Sequence, residues 1–378
     1  MKCQTLTIRF CILALAVLCA APAYAQLVPG TGTRIDYLGD NFENQKWGFV
    51  HRMPKSSREQ NERANYPMGY STNRMWIEGP ERGQPDHMKV VPAPEGALPG
   101  SQYALLVRTL NSGIPGVRSY DVQQDDLVMN FSRRMGTSIR PSENMSVVVR
   151  VYLPPFEEWE NRSGPQFGFR IGCGTTVNER GEGFFARNQD KTEPYWPGIW
   201  IHFRSETSKS VEKDSAFLTV RGNTRGRDMR SIEVTETGWW TMGMSVTGDG
   251  RVHYYASPGV DNLTAEDRLT SQFPYGFRAE WSNAYFFNFC NRNDGRSWST
   301  PFLLDDTQVF VASGTRVRNI AAQREARDRK RAEVAKQKRE ESQKRTAQKP
   351  DSNNKTTQIE PAALIPVAAT KATTSDLR

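Results

Sequence analysis

The 378-residue chain has only five cysteines and four histidines, and their positions exclude a good deal of chemistry. Cys3, Cys11 and Cys19 fall within the first 25 residues, which leaves Cys173 and Cys290 as the thiols of the remainder. His51, His87, His202 and His253 show no metal-ligand spacing, so nothing points to a zinc centre. No Gly-x-Ser-x-Gly elbow supports a catalytic triad. The Glu-x-Asp-x-x-Glu spacing that sets carboxylates on one face of a strand for retaining glycoside hydrolysis is also missing. Glu157, Glu158 and Glu160 come nearest, but they follow Pro154-Pro155 and read as a loop. Long apolar runs are scarce too. Phe10–Ala21 is too short to span a bilayer, and with Lys2 and Arg9 before it and Ala23-Tyr24-Ala25 after it, residues 1–25 have the form of an export signal. The mature chain is expected to start at Gln26 and to be secreted, extracellular or periplasmic, with no transmembrane segment. Leu18 is bulkier than the residue that precedes a lipidated cysteine, which argues against an anchor at Cys19.

The formal charge of +8 is unevenly placed. Between Arg316 and Lys349 stand 13 Lys/Arg against 5 Asp/Glu, whereas Gln26–Thr315 holds 35 against 34 and is close to neutral. A nucleic-acid-binding surface needs clustered basic residues on the fold itself, so nucleic acid is excluded as the partner of the main body. From Ile35 to about Phe310, Gly, Pro, Asn and Asp punctuate short alternating runs and no 3.6-residue period is sustained. This predicts an all-β domain, a two-sheet antiparallel jelly-roll β-sandwich over residues 26–315. Its clearest strands are Met145–Leu153, Gln166–Ile171, Gly198–Arg204, Ala216–Arg221, Trp239–Val246, Arg251–Ala256, Tyr285–Asn291 and Phe302–Val311. The Pro- and Gly-rich stretch from Met53 to Gly100 is expected to form long loops. Residues 316–349 read as a solvated basic helix with Glu325/Arg329 and Glu340/Lys344 at i,i+4 spacing, and 350–378 as a disordered tail. The helix is either a spacer or an electrostatic contact to anionic surfaces.

Strand alternation assigns faces. Ile199, Ile201 and Phe203 form a core set, which sends Trp200, His202 and Arg204 to the opposite side. Phe167, Phe169 and Ile171 do the same for Gln166 and Arg170, and Val147, Val149, Val151 and Leu153 for Arg150 and Tyr152. If the three strands share a sheet, its outer face suits a polysaccharide or envelope glycan, since rings stack on sugar faces while Arg and Gln bind hydroxyls or carboxylates. Such a surface requires Trp200, His202 and Arg204 to face an accessible hollow. The alternative is an ordinary polar sheet face covered by loops, on a scaffold without a ligand.

The two ends of the domain resemble the concanavalin A-like lectin/glucanase superfamily, which includes laminin-G-like modules. Asp40-Asn41-Phe42-Glu43 with Trp47 resembles the opening strand, and Leu304-Asp305-Asp306-Thr307-Gln308-Val309 the closing one. The resemblance implies a structural Ca2+ where first and last strands meet, with Asp40, Glu43, Asp305 and Asp306 as ligands by position. The alternative is that Asp305 and Asp306 simply face solvent. Jelly-roll polysaccharide lyases are similar in setting Arg, Gln or Asn, His and Tyr on a concave sheet for β-elimination on uronates, and Arg150, Gln166, His202 and Tyr255 match by residue type. A Cys173–Cys290 bridge would close a long loop. Cys173 nevertheless shares parity with Phe169 and Ile171, while Cys290 lies opposite Phe287 and Phe289, so without a bulge the thiols face opposite ways.

Overall fold

The computed structural model describes residues 27–113, 123–179 and 189–347. The expected export signal and C-terminal tail lie outside the described residues. Two antiparallel sheets pack face to face, and one long helix follows them. One sheet has the strand order Arg268–Gln272, Val252–Pro258, Gly238–Val246, Met145–Leu153, Phe302–Val311, Tyr103–Arg108 and His87–Pro92, with Thr33–Arg34 also pairing with Phe302–Val311. The other runs Asp228–Val234, Ser215–Arg221, Gly198–Arg204, Gly164–Glu179, Trp281–Asn291, Gln123–Asn130, Ile77–Glu78, Tyr70–Ser71 and Phe49–Val50. Gln189–Tyr195 also pairs with Gly164–Glu179. The expected all-β sandwich with a C-terminal helix is therefore what the chain forms, and all eight predicted strands are present, seven within a few residues of the expected bounds and the one expected at Gln166–Ile171 running on to Glu179.

Part of the Met53–Gly100 stretch departs from the expectation of loops. Tyr70–Ser71 and Ile77–Glu78 extend the larger sheet, and His87–Pro92 edges the smaller one. Their apolar alternation is too short to stand out among prolines and glycines, and cross-strand pairing decides the conformation.

Between the sheets lies an aromatic core. Phe287 is its hub, with ring centroids 5.7 Å from Trp76, 5.8 Å from Phe167 and 5.7 Å from Phe169. These side chains are fully buried, and each contributes about 1.5–3 kcal/mol by leaving water. Cys173 belongs to this interior, while Cys290 is buried on the opposite side of its strand, and both are free thiols. Parity foresaw that separation. Burial pushes both thiols up to about 12, which leaves almost no thiolate at neutral pH.

The opening segment is fastened to the closing strand by Asp40. Its backbone N–H donates to the Thr307 carbonyl at 3.1 Å, and the Thr307 N–H returns a bond at 3.0 Å. The Asp40 carboxylate accepts from the indoles of Trp47 and Trp76 and from the Asn73 amide. Tyr285 donates to Thr307 Oγ1 from the larger sheet, so the clasp spans both layers.

The helix covers Thr315–Ala347. Chain contacts divide after Glu325. The first turns belong to the sandwich body, where Val317 and Ala321 are buried and Arg316 pairs with Glu143 at 2.6 Å. Beyond Ala326 the helix is solvated, with Arg327, Lys330, Arg331 and Lys338 around an exposed Val334. Among the described residues no helix is long and apolar enough to cross a membrane.

Two outcomes are expected. Asp40→Ala strands four N–H donors, those of Phe42, Trp47, Asn73 and Trp76, and should lower unfolding stability by about 3 kcal/mol or more in urea titration, whereas Asp40→Asn should lower it by less. Cys173 and Cys290 should resist alkylation until denaturant is added, and peptide mapping without reduction should find them unbridged.

Candidate functional site

The outer face of the larger sheet carries the candidate site. Ile199, Ile201 and Phe203 enter the core as alternation requires, and Trp200, His202 and Arg204 point the other way. In register across the sheet, Trp200 pairs with Gly168 on one side and Thr219 on the other, and Gly168 pairs with Asn288, which pairs with Asp126. A parallel row runs Val128, Phe286, Arg170, Gly198, Arg221 and Asp228. Two glycines leave room for these large side chains. A Cβ on Gly168 would sit 2.8 Å from both the Trp200 ring and Asn288 Oδ1, and one on Gly198 would sit 2.5 Å from Arg170 Cγ. The indole of Trp200 therefore lies down on the sheet, only 4% exposed, as part of a cleft floor.

This cleft has a volume of about 480 Å³. Trp200, Arg170 and Pro165 lie along its base, Glu59, Arg82 and Gln124 on one side, and Trp196, Arg221, Asp228 and Tyr275 on the other. Its first wall comes from the Arg58–Asn61 helical turn, whose Arg58 and Glu59 N–H groups donate to the carbonyls of Pro80 and Glu81. Glu59 and Arg82 form an ion pair across that junction. Below it, Glu78 accepts from the Ser56 N–H at 2.6 Å and the Gly69 N–H at 2.9 Å, and the buried Lys55 ammonium lies 2.7 Å from Asp125 and 2.9 Å from Asp86.

Arginine dominates the base. Arg221 is bidentate on Asp228 at 2.8 and 2.9 Å, with its guanidinium carbon 5.4 Å from the Trp200 centroid. Arg170 lies 5.5 Å from the same centroid and 5.3 Å from that of Phe286. Two of its nitrogens donate to the Trp196 carbonyl at 3.1 and 2.9 Å, and among the described residues it forms no ion pair. Burial, with Arg221 nearby, pulls the Arg170 guanidinium down to about 10, still charged at neutral pH. A buried cation without a counterion is costly unless an anion joins it. Trp200 Nε1, Thr219 Oγ1 and Asn288 Oδ1 are buried under this face without a hydrogen-bond partner among the described residues, and of the three only Trp200 lines the cleft.

The remaining sequence candidates are placed as follows. His202 stacks on Phe217 at 5.3 Å and its Nε2 is buried and unpartnered; burial lowers its pKa, which keeps the imidazole neutral at pH 7. It does not line the cleft. Arg204 pairs with Glu233 at 2.5 Å, farther along the same face. Gln166 is buried and committed to the Arg162 carbonyl and Thr300 hydroxyl. Met145–Leu153 belongs to the other sheet, contrary to the shared-sheet arrangement considered above. Arg150 is buried there against Asp306 at 3.2 Å, Tyr152 packs edge-on against Trp239, and Tyr255 is buried two strands away in the same sheet. The lyase-like set Arg150, Gln166, His202 and Tyr255 is thus split between two sheets.

Alternation could have found Arg221, outward between the inward Val220 and the strand end, and Asn288 between Phe287 and Phe289. Trp196, Tyr275, Glu59 and Arg82 come from connections and carry no periodic signal.

The calcium expectation does not find its donors. First and last strands do meet, but Asp40 is held by N–H donors and Asp306 by Arg150. Glu43 and Asp305 share the Ser101 hydroxyl, and among the described residues no group of three or more His, Cys, Asp or Glu side chains is assembled for a metal. A hard cation needs six to eight oxygens, which this set does not converge to give.

No family profile and no curated protein matches the chain. Among solved structures, an alginate lyase from Klebsiella pneumoniae aligns at 9% identity over 73% of this chain and 98% of its own, with TM-score 0.34. The VIP36 exoplasmic/lumenal domain in a Ca2+/Man2-bound form aligns at 11% over 63% and 81%, TM-score 0.32. A Caldicellulosiruptor saccharolyticus CBM27-1 module bound to mannohexaose aligns at 13% over 61% and 89%, TM-score 0.24. Likeness this distant assigns neither family nor ligand.

Burial, with Asp306 and Glu43 nearby, raises the Asp305 carboxyl to about 7. The ionised form is therefore disfavoured in the fold, and stability falls as pH rises from the ordinary carboxylate range through 7. Asp305→Asn should raise the melting temperature by about 2–4 °C at pH 8 and leave it nearly unchanged at pH 5. EDTA should leave the wild-type melt unchanged; a drop on chelation would restore the metal.

Proposed function

We propose that the chain is a non-catalytic glycan-binding protein that holds an acidic saccharide in the cleft on the outer face of the larger sheet. The carrying observation is Arg170, a buried guanidinium without an ion-pair partner, set beside an indole laid flat on the sheet. An acidic sugar supplies both complements: its carboxylate or sulfate meets the guanidinium, and its apolar ring face meets the aromatic edges of Trp196, Trp200 and Tyr275. The cleft volume suits one or two sugar units rather than a folded partner. An acidic polymer would also be attracted to the basic helix face, an attraction that salt weakens. The export signal expected at residues 1–25 would place the protein where such polymers occur.

A lyase needs a proton-moving group against the sugar. Tyr275 lines the cleft, but His202 does not, and Tyr255 lies on the other sheet, so binding without turnover is favoured over β-elimination.

Arg170→Gln and Tyr275→Ala should each weaken retention on an acidic-glycan panel by about tenfold or more, with the melting temperature within a few degrees of wild type. Retention that survives both changes would refute the site. Growth of the ultraviolet absorbance of unsaturated uronate during incubation would replace the binder with the lyase.

A further inference from the structure

A second cleft of about 240 Å³ opens on the same face, and Trp196 lines both. The two differ sharply in charge. Three arginines, Arg82, Arg170 and Arg221, line the first. Among the described residues the second has no Lys or Arg in its lining and two carboxylates, Glu81 and Asp126, with Asn130, Asn283 and Phe286 beside them. Arg58 neutralises Glu81 at 2.9 Å. Asp126 has no ion pair among the described residues. It is 6% exposed and accepts from Asn288 Nδ2 at 2.6 Å and Gln124 Nε2 at 3.3 Å. The face thus holds a buried cation and a buried anion in adjoining hollows, coupled through space but with no direct ion pair to either among the described residues.

From this we infer that the ligand is a heteropolymer in which an acidic sugar adjoins an uncharged one, the acidic unit at Arg170 and the uncharged unit over Asp126, and that a homopolymer of acidic sugars is discriminated against. Resting on the saccharide-binding function above, this assigns it a ligand class. A carboxylate in the second cleft would meet Asp126 with no Lys or Arg among the described lining residues to pair with it directly, whereas hydroxyl and amide N–H groups of an uncharged unit can donate to Asp126. Like-charge juxtaposition in a sheltered site weakens binding strongly, so the discrimination comes from the repulsive element.

The inference also implies a pH dependence without any substitution. Burial raises Asp126 to about 6, opposed by Arg82, the Asn288 hydrogen bond and Arg170, and reinforced by Glu59. Sugar carboxylates remain ionised at pH 5, so protonation of Asp126 removes the repulsion while the Arg170 contact persists.

The experiment compares binding of oligosaccharides of matched length from hyaluronan, with one carboxylate per two units, and from polygalacturonate, with one per unit, to the full chain. Hyaluronan fragments should bind about tenfold more tightly at pH 7.5, with the ratio shrinking toward one at pH 5. Asp126→Asn, which keeps the side-chain shape, should tighten polygalacturonate binding at pH 7.5 several-fold and weaken hyaluronan binding, which loses a charged acceptor, so that the preference between the two polymers shrinks toward one. Equal affinities at pH 7.5, or a ratio indifferent to both pH and Asp126→Asn, would overturn the alternation while leaving the glycan site standing. Binding of neither polymer, in wild type and variant alike, would overturn the saccharide site and this inference together.

Discussion

Asp40 is the point on which the architecture turns. Its backbone closes the opening segment onto Thr307, 267 positions later in the chain, and its carboxylate gathers two indoles and an amide. One of those indoles, Trp76, immediately precedes Ile77–Glu78, the short strand that pairs with Gln123–Asn130. Glu78 then secures Ser56 and Gly69, and the Gly79–Gly83 turn carries Arg82 to the rim of the cleft. A polar residue at the seam between the sheets thus positions a wall of the binding face. Charge-assisted bonds of this kind are each worth about 1.5–3 kcal/mol, and their geometry is less forgiving than that of apolar packing.

On the outer face the same chemistry is left incomplete. Arg221 has Asp228, Arg82 has Glu59 and Arg204 has Glu233, so most charges there are answered within the fold. Arg170 and Asp126 form no such pair, and both are buried. Each lies in the field of the other without a direct contact, so the desolvation of both is offset only in part and both groups stay available for a ligand. The glycines at 168 and 198 belong to the same design, because they bring the backbone close enough for an indole and a guanidinium to form the floor.

Much of the sandwich was legible in the sequence because a half-buried strand writes its two environments alternately. Ile199, Ile201 and Phe203 against Trp200, His202 and Arg204 is the clearest case, and the opposed cysteines follow the same rule. Alternation says which way a side chain points but not which sheet its strand joins. For that reason Arg150 and Tyr152 read as companions of Trp200, although pairing places their strand between Gly238–Val246 and Phe302–Val311. Accessibility was equally hidden: Arg150 and Tyr255 are covered, and Trp200 lies flat. The cleft walls come from turns whose positions depend on distant anchors such as Glu78 and Lys55. The paired aspartates near the C-terminal strand marked the meeting of the chain ends correctly, but the partners awaiting them, Ser101 and Arg150, make a different use of them than a cation would.

The strand Phe302–Val311 occupies the middle of its sheet, between Met145–Leu153 and Tyr103–Arg108, although it is the last strand made. A nascent chain that has not yet delivered this strand has a gap in one layer and no Thr307 for Asp40 to grip. Folding therefore cannot finish while synthesis is under way at or before this strand. The sandwich thus stays open until its central strand has been made.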